Sequence, residues 1–219
     1  MVAISVVFRL WVPESKEMVT KWGKIKANKP IKAFWVDTLE AIFYTAKKHG
    51  KGWTYEKTRL GTRMVVFVPL KPFLELFGDT NKVRVKEKIF KALTELMELK
   101  VFYQTKRVRG SFIPISSFKF TKDYLVVAFT EGFTSVFLKE AFSPYLELLP
   151  ILIKIKSPYA RYLLRFVLSH KGNTFIKLDN FFLEPYVKSR LKRWLSENES
   201  LLKELGIIWD GKFIKKREA

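Results

Sequence analysis

The chain of 219 residues has no cysteine and only two histidines, His49 and His170. The first absence excludes a disulfide framework, a zinc ribbon and a thiol nucleophile. The second, with the two histidines far apart, argues against a His-rich metal site. Acids are scarce as well: 21 Asp and Glu face 41 Lys and Arg, which leaves a formal charge of +20 that hardly titrates near neutral pH. Long apolar runs are missing. The longest apolar stretch, 145–153, contains Glu147 and Pro150, so no membrane span is expected. The first ten residues lack the basic head, apolar run and small-residue cleavage site of a signal peptide. A cytoplasmic protein with no metal, no cofactor and no membrane contact is the expectation.

What is present is hydrophobic as well as basic. Apolar residues make up 48% of the chain, with 20 Phe, 8 Tyr and 6 Trp, too many for a disordered basic tail. A folded domain or two of ordinary size fits the length. The charge suits a polyanion partner, because each neutralised phosphate releases condensed counterions. Heat-stable proteins also carry lysine-rich surfaces, but those balance Lys with Glu, and this chain does not.

Along the chain, residues 3–12 alternate weakly, like a strand. Residues 14–29 hold Lys16, Lys21, Lys24, Lys26 and Lys29 and read as a basic arm or linker. Residues 34–48 form a helix by periodicity, with Trp35, Leu39, Ile42, Phe43 and Ala46 on one stripe. A β-branched strand spans 63–68. A short helix over 70–77 then stops at Gly78, and a longer helix over 82–99 buries Val85, Ile89, Leu93, Leu96 and Leu99. A short helix, a four-residue turn and a longer helix have helix-turn-helix spacing. Strands at 101–104, 111–115 and 125–130 follow, with a basic loop at 105–110 serving as the tip of a hairpin wing.

The last third repeats this plan. Ser157-Pro158 is an N-cap with proline at the first helical position, opening a helix to about His170. A short extended piece, a helix from Pro185, a further helical segment and a hairpin around Asp210-Gly211 complete it. Asp-Gly between apolar runs points to a type I′ turn. The fold class expected is α+β, as tandem winged-helix domains. The segments are 1–30 (strand and basic arm), 31–142 (first domain) and 153–219 (second domain).

Candidate double-stranded-DNA contacts follow from charge on the longer helices and wings. In the first unit they are Lys82, Arg84, Lys86, Lys88 and Lys91, with Lys106, Arg107 and Arg109 in the loop. Arg84, Lys88 and Lys91 form an i, i+4, i+7 stripe that Glu95 and Glu98 continue. Basic residues first and acidic ones last oppose the helix dipole, whereas a recognition helix that enters the major groove by its N-terminal half requires that order. In the second unit they are Tyr186, Lys188, Arg190, Lys192 and Arg193, an acid-free cluster, then Lys212, Lys215 and Lys216. Solvated charged faces are the plain alternative for each.

Enzyme signatures are thin. No phosphate-binding G-x-x-x-x-G-K-[ST] loop is present, and the histidines sit at expected helix ends, where capping explains them. No catalytic residue is assigned, and the basic loops hold too few aromatics for a single-strand stacking platform. A transcription regulator, a nuclease or recombinase using Tyr or acidic residues, and a basic protein-interaction module stay open.

The order of elements resembles the plasmid replication initiator (Rep) proteins with two winged-helix domains. The likeness rests on the helix at 34–48, on Val66-Phe67-Val68-Pro69-Leu70 and on Phe73-Leu74-Glu75-Leu76-Phe77-Gly78. It continues in Ser157-Pro158-Tyr159-Ala160-Arg161-Tyr162-Leu163-Leu164, with Arg161 one position earlier than the family pattern has it. It covers residues 31–219. The resemblance implies binding to repeated origin sites, origin opening, recruitment of host replication machinery, self-repression as homodimers, and no catalytic residue.

Overall fold

The structure, a computed structural model, describes residues 12–20, 23–78, 81–105, 109–137, 145–170, 174–181 and 183–216. The chain divides into two compact units, Met1–Phe142 and Ser143–Ala219. Both mix helices with antiparallel sheets, an α+β fold.

In the first unit, β1 (Glu17–Thr20) and β2 (Gly23–Ala27) lead into helix α1 (Ala33–His49). The expected stripe of α1 is buried, but so is every residue from Trp35 to Ala46, including Asp37 and Glu40. The reason is packing on several sides: α1 lies against β4 (Gly61–Pro69), α2 (Leu70–Glu75) and α3 (Lys82–Met97). Gly50 closes α1 where a Cβ would stand 2.9 Å from the Ala46 carbonyl oxygen and 3.1 Å from that of Phe67. Strand β3 (Trp53–Thr58) has a polar, largely exposed sequence without alternation, and for that reason sequence pattern missed it.

Strand β4 passes directly into α2 through Pro69. Gly78, at φ 64°, ends the short helical segment, and Asn81 caps α3 by accepting the Arg84 backbone N–H at 3.0 Å. Beyond α3 come β5 (Val101–Thr105), β6 (Arg109–Phe112), β7 (Ile115–Phe120) and β8 (Tyr124–Phe129). Two hairpins therefore follow the helix, and they belong to different sheets. One sheet has the order β3-β4-β8-β7, the other β1-β2-β5-β6.

This corrects two expectations. The hairpin that returns to β4 beside the helices is β7–β8, not β5–β6, because the register Phe67 to Val126 places β8 against β4. The stretch 14–29 is no free arm either. Its strands β1 and β2 pair with each other, and β2 pairs with β5 in the register Ile25 to Tyr103, where Ile25 and Ala27 alternate inward and their lysine neighbours outward. Helix α4 (Glu131–Phe137) closes the unit: Phe133 stacks on Phe129 at 4.8 Å, and the buried Thr134 hydroxyl accepts the Met64 N–H at 3.0 Å.

The second unit holds α5 (Leu149–Leu152), α6 (Pro158–Ser169), β9 (Thr174–Lys177), α7 (Pro185–Glu197), α8 (Glu199–Glu204), β10 (Ile207–Trp209) and β11 (Phe213–Lys216). Ser157 caps α6 as its sequence indicates, its hydroxyl accepting the Ala160 N–H at 3.2 Å. The sheet order is β10-β11-β9. Its connectivity matches that of β4, β7 and β8. In each unit a strand leads through short helical structure to a longer helix, and after an intervening element (β5–β6 in the first unit, α8 in the second) comes a hairpin whose second strand returns to the first. The β10–β11 turn is not type I′. Only Gly211 within it takes a positive φ, 87°, and the loop is three residues long, with the Asp210 carboxylate accepting the Lys212 and Phe213 N–H groups.

Candidate nucleic-acid interface

Helix α3 buries Val85, Ile89, Ala92, Leu93 and Leu96 and exposes the rest of its first three turns. Lys82, Arg84, Lys86, Lys88 and Lys91 are all on the exposed side. Lys82 reaches Glu75 only at 4.0 Å, and Lys86 lies 5.2 Å over the Phe120 ring. Among the described residues, no carboxylate ion-pairs with Arg84, Lys86, Lys88 or Lys91, and the first turn holds no acid. Arg84, Lys86 and Lys88 thus stand in the first half of the helix with Glu87 as the one acid among them, and Lys91, at its middle, feels the Glu95 carboxylate one turn on.

The acidic end of the stripe behaves differently. Glu95 is turned into the unit: it accepts the Trp35 Nε1–H at 2.7 Å and the Lys32 ammonium at 2.8 Å, and Glu98 pairs with Lys29 at 2.8 Å. Partial burial works to raise the Glu95 pKa. The Lys32 and Trp35 hydrogen bonds outweigh it and hold the carboxyl below its ordinary range. The residues leading into α1 therefore cover and neutralise the C-terminal turn of α3, and its outward face is cationic only at the N-terminal end.

The expected hairpin cations separate. Lys106 and Arg107 lie outside the described residues. Arg109 faces outward on the sheet of β1, β2, β5 and β6, beside a shallow groove of about 390 Å³ edged by Lys24, Lys26 and Phe102. The hairpin next to α3 carries instead Lys119 and Lys122, both exposed and both missed from sequence. The signal was available: β8 (LVVAF) is the better β-branched partner for β4, and its hairpin is the segment 115–129.

In the second unit the acid-free cluster acquires an acid from elsewhere in the fold. Asp179, in the 3-10 turn Leu178–Asn180 before α7, lies 3.5 Å from the Lys192 ammonium and 3.9 Å from that of Lys177, while its backbone carbonyl accepts from Lys188 at 2.9 Å. Arg190 donates to the Tyr186 hydroxyl at 3.1 Å and stands 5.5 Å over its ring; Arg193 pairs with Glu197 at 2.7 Å. Lys215 pairs with Asp210 at 2.6 Å, and Lys212 lies 5.6 Å over Phe213. Lys216 turns back to the end of α6, donating to the carbonyls of His170 and Leu168, as a helix C-cap does. Cations are brought to one helix and one hairpin, but fewer of them point freely outward than the sequence suggests.

The whole fold is similar to that of domains 2 and 3 of RctB. One crystal structure of those domains matches with TM-score 0.60 at 10% identity, covering 99% of this chain and 97% of that one. A second matches with TM-score 0.52 at 9% identity, covering 96% and 94%. No family model and no curated protein matches the sequence. At such identities the likeness is one of fold, and it extends over both units. No helix among the described residues is long and apolar enough to cross a membrane, and among them no group of three or more His, Asp or Glu could hold a metal ion.

Asp210 gives the second hairpin a pH-dependent support. The Lys215 ammonium first, then the Phe213 and Lys212 N–H groups, pull its pKa down to about 2. A carboxyl depressed in the folded state stabilises above its unfolded value near 3.9 and loses that contribution as pH falls through the folded value. Amide exchange at Lys212 and Phe213 is therefore expected to accelerate between about pH 4 and 2 in excess of the intrinsic rate. Asp210→Asn should remove that acid-dependent excess.

Proposed function

We propose that the chain is a sequence-specific double-stranded-DNA-binding protein of the replication-initiator kind, made of two winged-helix domains. The observation that carries the reading is the repeated connectivity of the two units, each with a cation-bearing helix between a strand and the hairpin that returns to that strand. A winged helix places that second helix in the major groove and its hairpin along the backbone. Arg84, Lys86 and Lys88, none of them ion-paired among the described residues, fit such a groove, because phosphates supply the negative charge that the first turn of α3 does not. The fold likeness to two consecutive domains of RctB agrees with the two-domain plan on which the resemblance to the Rep initiators rests.

In this reading Arg84, Lys88 and Lys91 border the groove on α3, Lys119 and Lys122 follow the backbone, and Arg190 and Lys212 serve the second domain. Lys216 and Glu95 hold the scaffold. The protein works in the cytoplasm without a catalytic residue, metal or cofactor. It recognises repeated origin sites and engages host replication machinery, with homodimers as its repressing form.

Selection from a randomised duplex library tests this. A motif bound at least about 10³-fold more tightly than bulk duplex is expected, and two domains predict a two-part motif. Enrichment without any motif would overturn sequence-specific recognition. Incubation with supercoiled plasmid and divalent cations is expected to leave the plasmid intact; nicking or a covalent adduct would overturn the non-enzymatic reading.

A further inference from the structure

The basic stripe is not the outermost line of α3. At 3.6 residues per turn, the buried set Val85, Ile89, Ala92, Leu93 and Leu96 puts Glu87 and Thr94 opposite the core. Arg84, Lys88 and Lys91 lie on one flank of that line, and Val83 and Phe90 on the other. Both of these apolar side chains are largely in solvent, Val83 at 68% exposure and Phe90 at 54%. Exposed apolar residues are ordinary one at a time. Here two stand at i and i+7 on a helix otherwise bordered by cations.

Phe90 is also held in place. Its ring meets Phe118 edge-on at 5.3 Å and Phe120 at 6.5 Å, and the Lys86 ammonium caps Phe120 from outside. Strand β7 thus braces one edge of Phe90 and leaves the remainder facing out. Glu87, between Val83 and Phe90, would be repelled by phosphates, so this line suits the floor of a groove better than its walls. There an apolar side chain meets the thymine 5-methyl group, and a carboxylate accepts from the cytosine amino group.

We infer that Val83 and Phe90 read thymine methyl groups in the major groove, with Arg84, Lys88 and Lys91 holding the flanking phosphates. The inference rests on the duplex-binding reading above and assigns base recognition to side chains that charge alone passes over. It predicts that the preferred site contains thymine at the positions under α3.

The experiment uses the full chain and the duplex obtained by selection, with each thymine replaced singly by deoxyuridine, which removes only the methyl group. Wild type should bind about four-fold more weakly at one or two uridine positions, the effect of withdrawing one methyl from an apolar contact. Phe90→Ala or Val83→Ala should weaken the thymine duplex by a similar factor and abolish discrimination at its own position. Phe118→Ala, which loosens the brace but touches no base, should keep the discrimination. If Phe90 only supports the hairpin, Phe90→Ala will weaken thymine and uridine duplexes equally, and the inference falls. Salt-dependent, motif-specific binding with no uridine effect in wild type overturns the inference and leaves duplex recognition standing. Absence of duplex binding overturns both.

Discussion

Raising salt from about 50 to 200 mM should weaken duplex binding by roughly 10³–10⁵-fold. That is the loss expected when 6–10 phosphates are neutralised, since each contributes about 0.9 to the slope of log affinity against log salt. The supply of cations is sufficient: Lys82, Arg84, Lys86, Lys88, Lys91, Lys119 and Lys122 are exposed in the first unit, with Arg190 and Lys212 in the second. Replacing Arg84, Lys88 and Lys91 by Gln should lower the slope by about 2.7. Lys216→Gln makes the informative control. Because Lys216 donates to the end of α6, its loss should lower thermal stability and leave the slope unchanged. A flat salt profile in wild type, or a slope altered as much by Lys216→Gln as by Lys88→Gln, would show that these charges do not act as assigned.

Trp35→Ala should be the most damaging single substitution at the helix junction, costing about 3–5 kcal/mol in the first unit. The side chain is 1% exposed, and removing it opens a cavity between α1 and α3. It also takes away a donor on which Glu95 depends. For a unit of this size the melting temperature should fall by on the order of 10 °C. Trp35→Phe keeps a large ring but loses the indole N–H and two ring carbons with it, and should cost less than Trp35→Ala, about 2 kcal/mol. Thermal denaturation followed by circular dichroism separates the two: equal losses would mean that the hydrogen bond, not cavity filling, dominates. The C-terminal turn of α3 rests on this junction, so Trp35→Ala should also weaken DNA binding at temperatures well below the transition.

The helices were legible because their signals are local. The cap at Ser157, the stop at Gly78 and the 3.6-residue stripe of α3 need no knowledge of the rest of the chain. Sheet membership was not. Whether β5–β6 or β7–β8 returns to β4 depends on partners about 60 residues away, and β1, β2 and β3 are edge or near-edge strands whose exposed residues blur the alternation. The candidate interface divided along the same line. The cations of α3 could be placed from periodicity, whereas the diversion of Glu95 to Trp35, of Lys192 to Asp179 and of Lys216 to α6 follows from contacts that only the folded chain brings together. Phe90 escaped notice because an aromatic near a helical stripe reads as core.

The pairing of β2 with β5 has a kinetic consequence. Ile25 must find Tyr103, roughly 80 positions along, before that sheet can form, whereas Ile214 finds Ile176 across about 40. Closing the longer loop costs more chain entropy and slows formation of the contacts that reward it. The C-terminal unit, though synthesised last, should therefore complete its sheet sooner once the whole chain is free, while the N-terminal hairpin waits and the edge of β5 stays uncovered. An uncovered strand edge is a site for pairing with another chain, so the interval before β2 docks is when this protein is most exposed to misassembly.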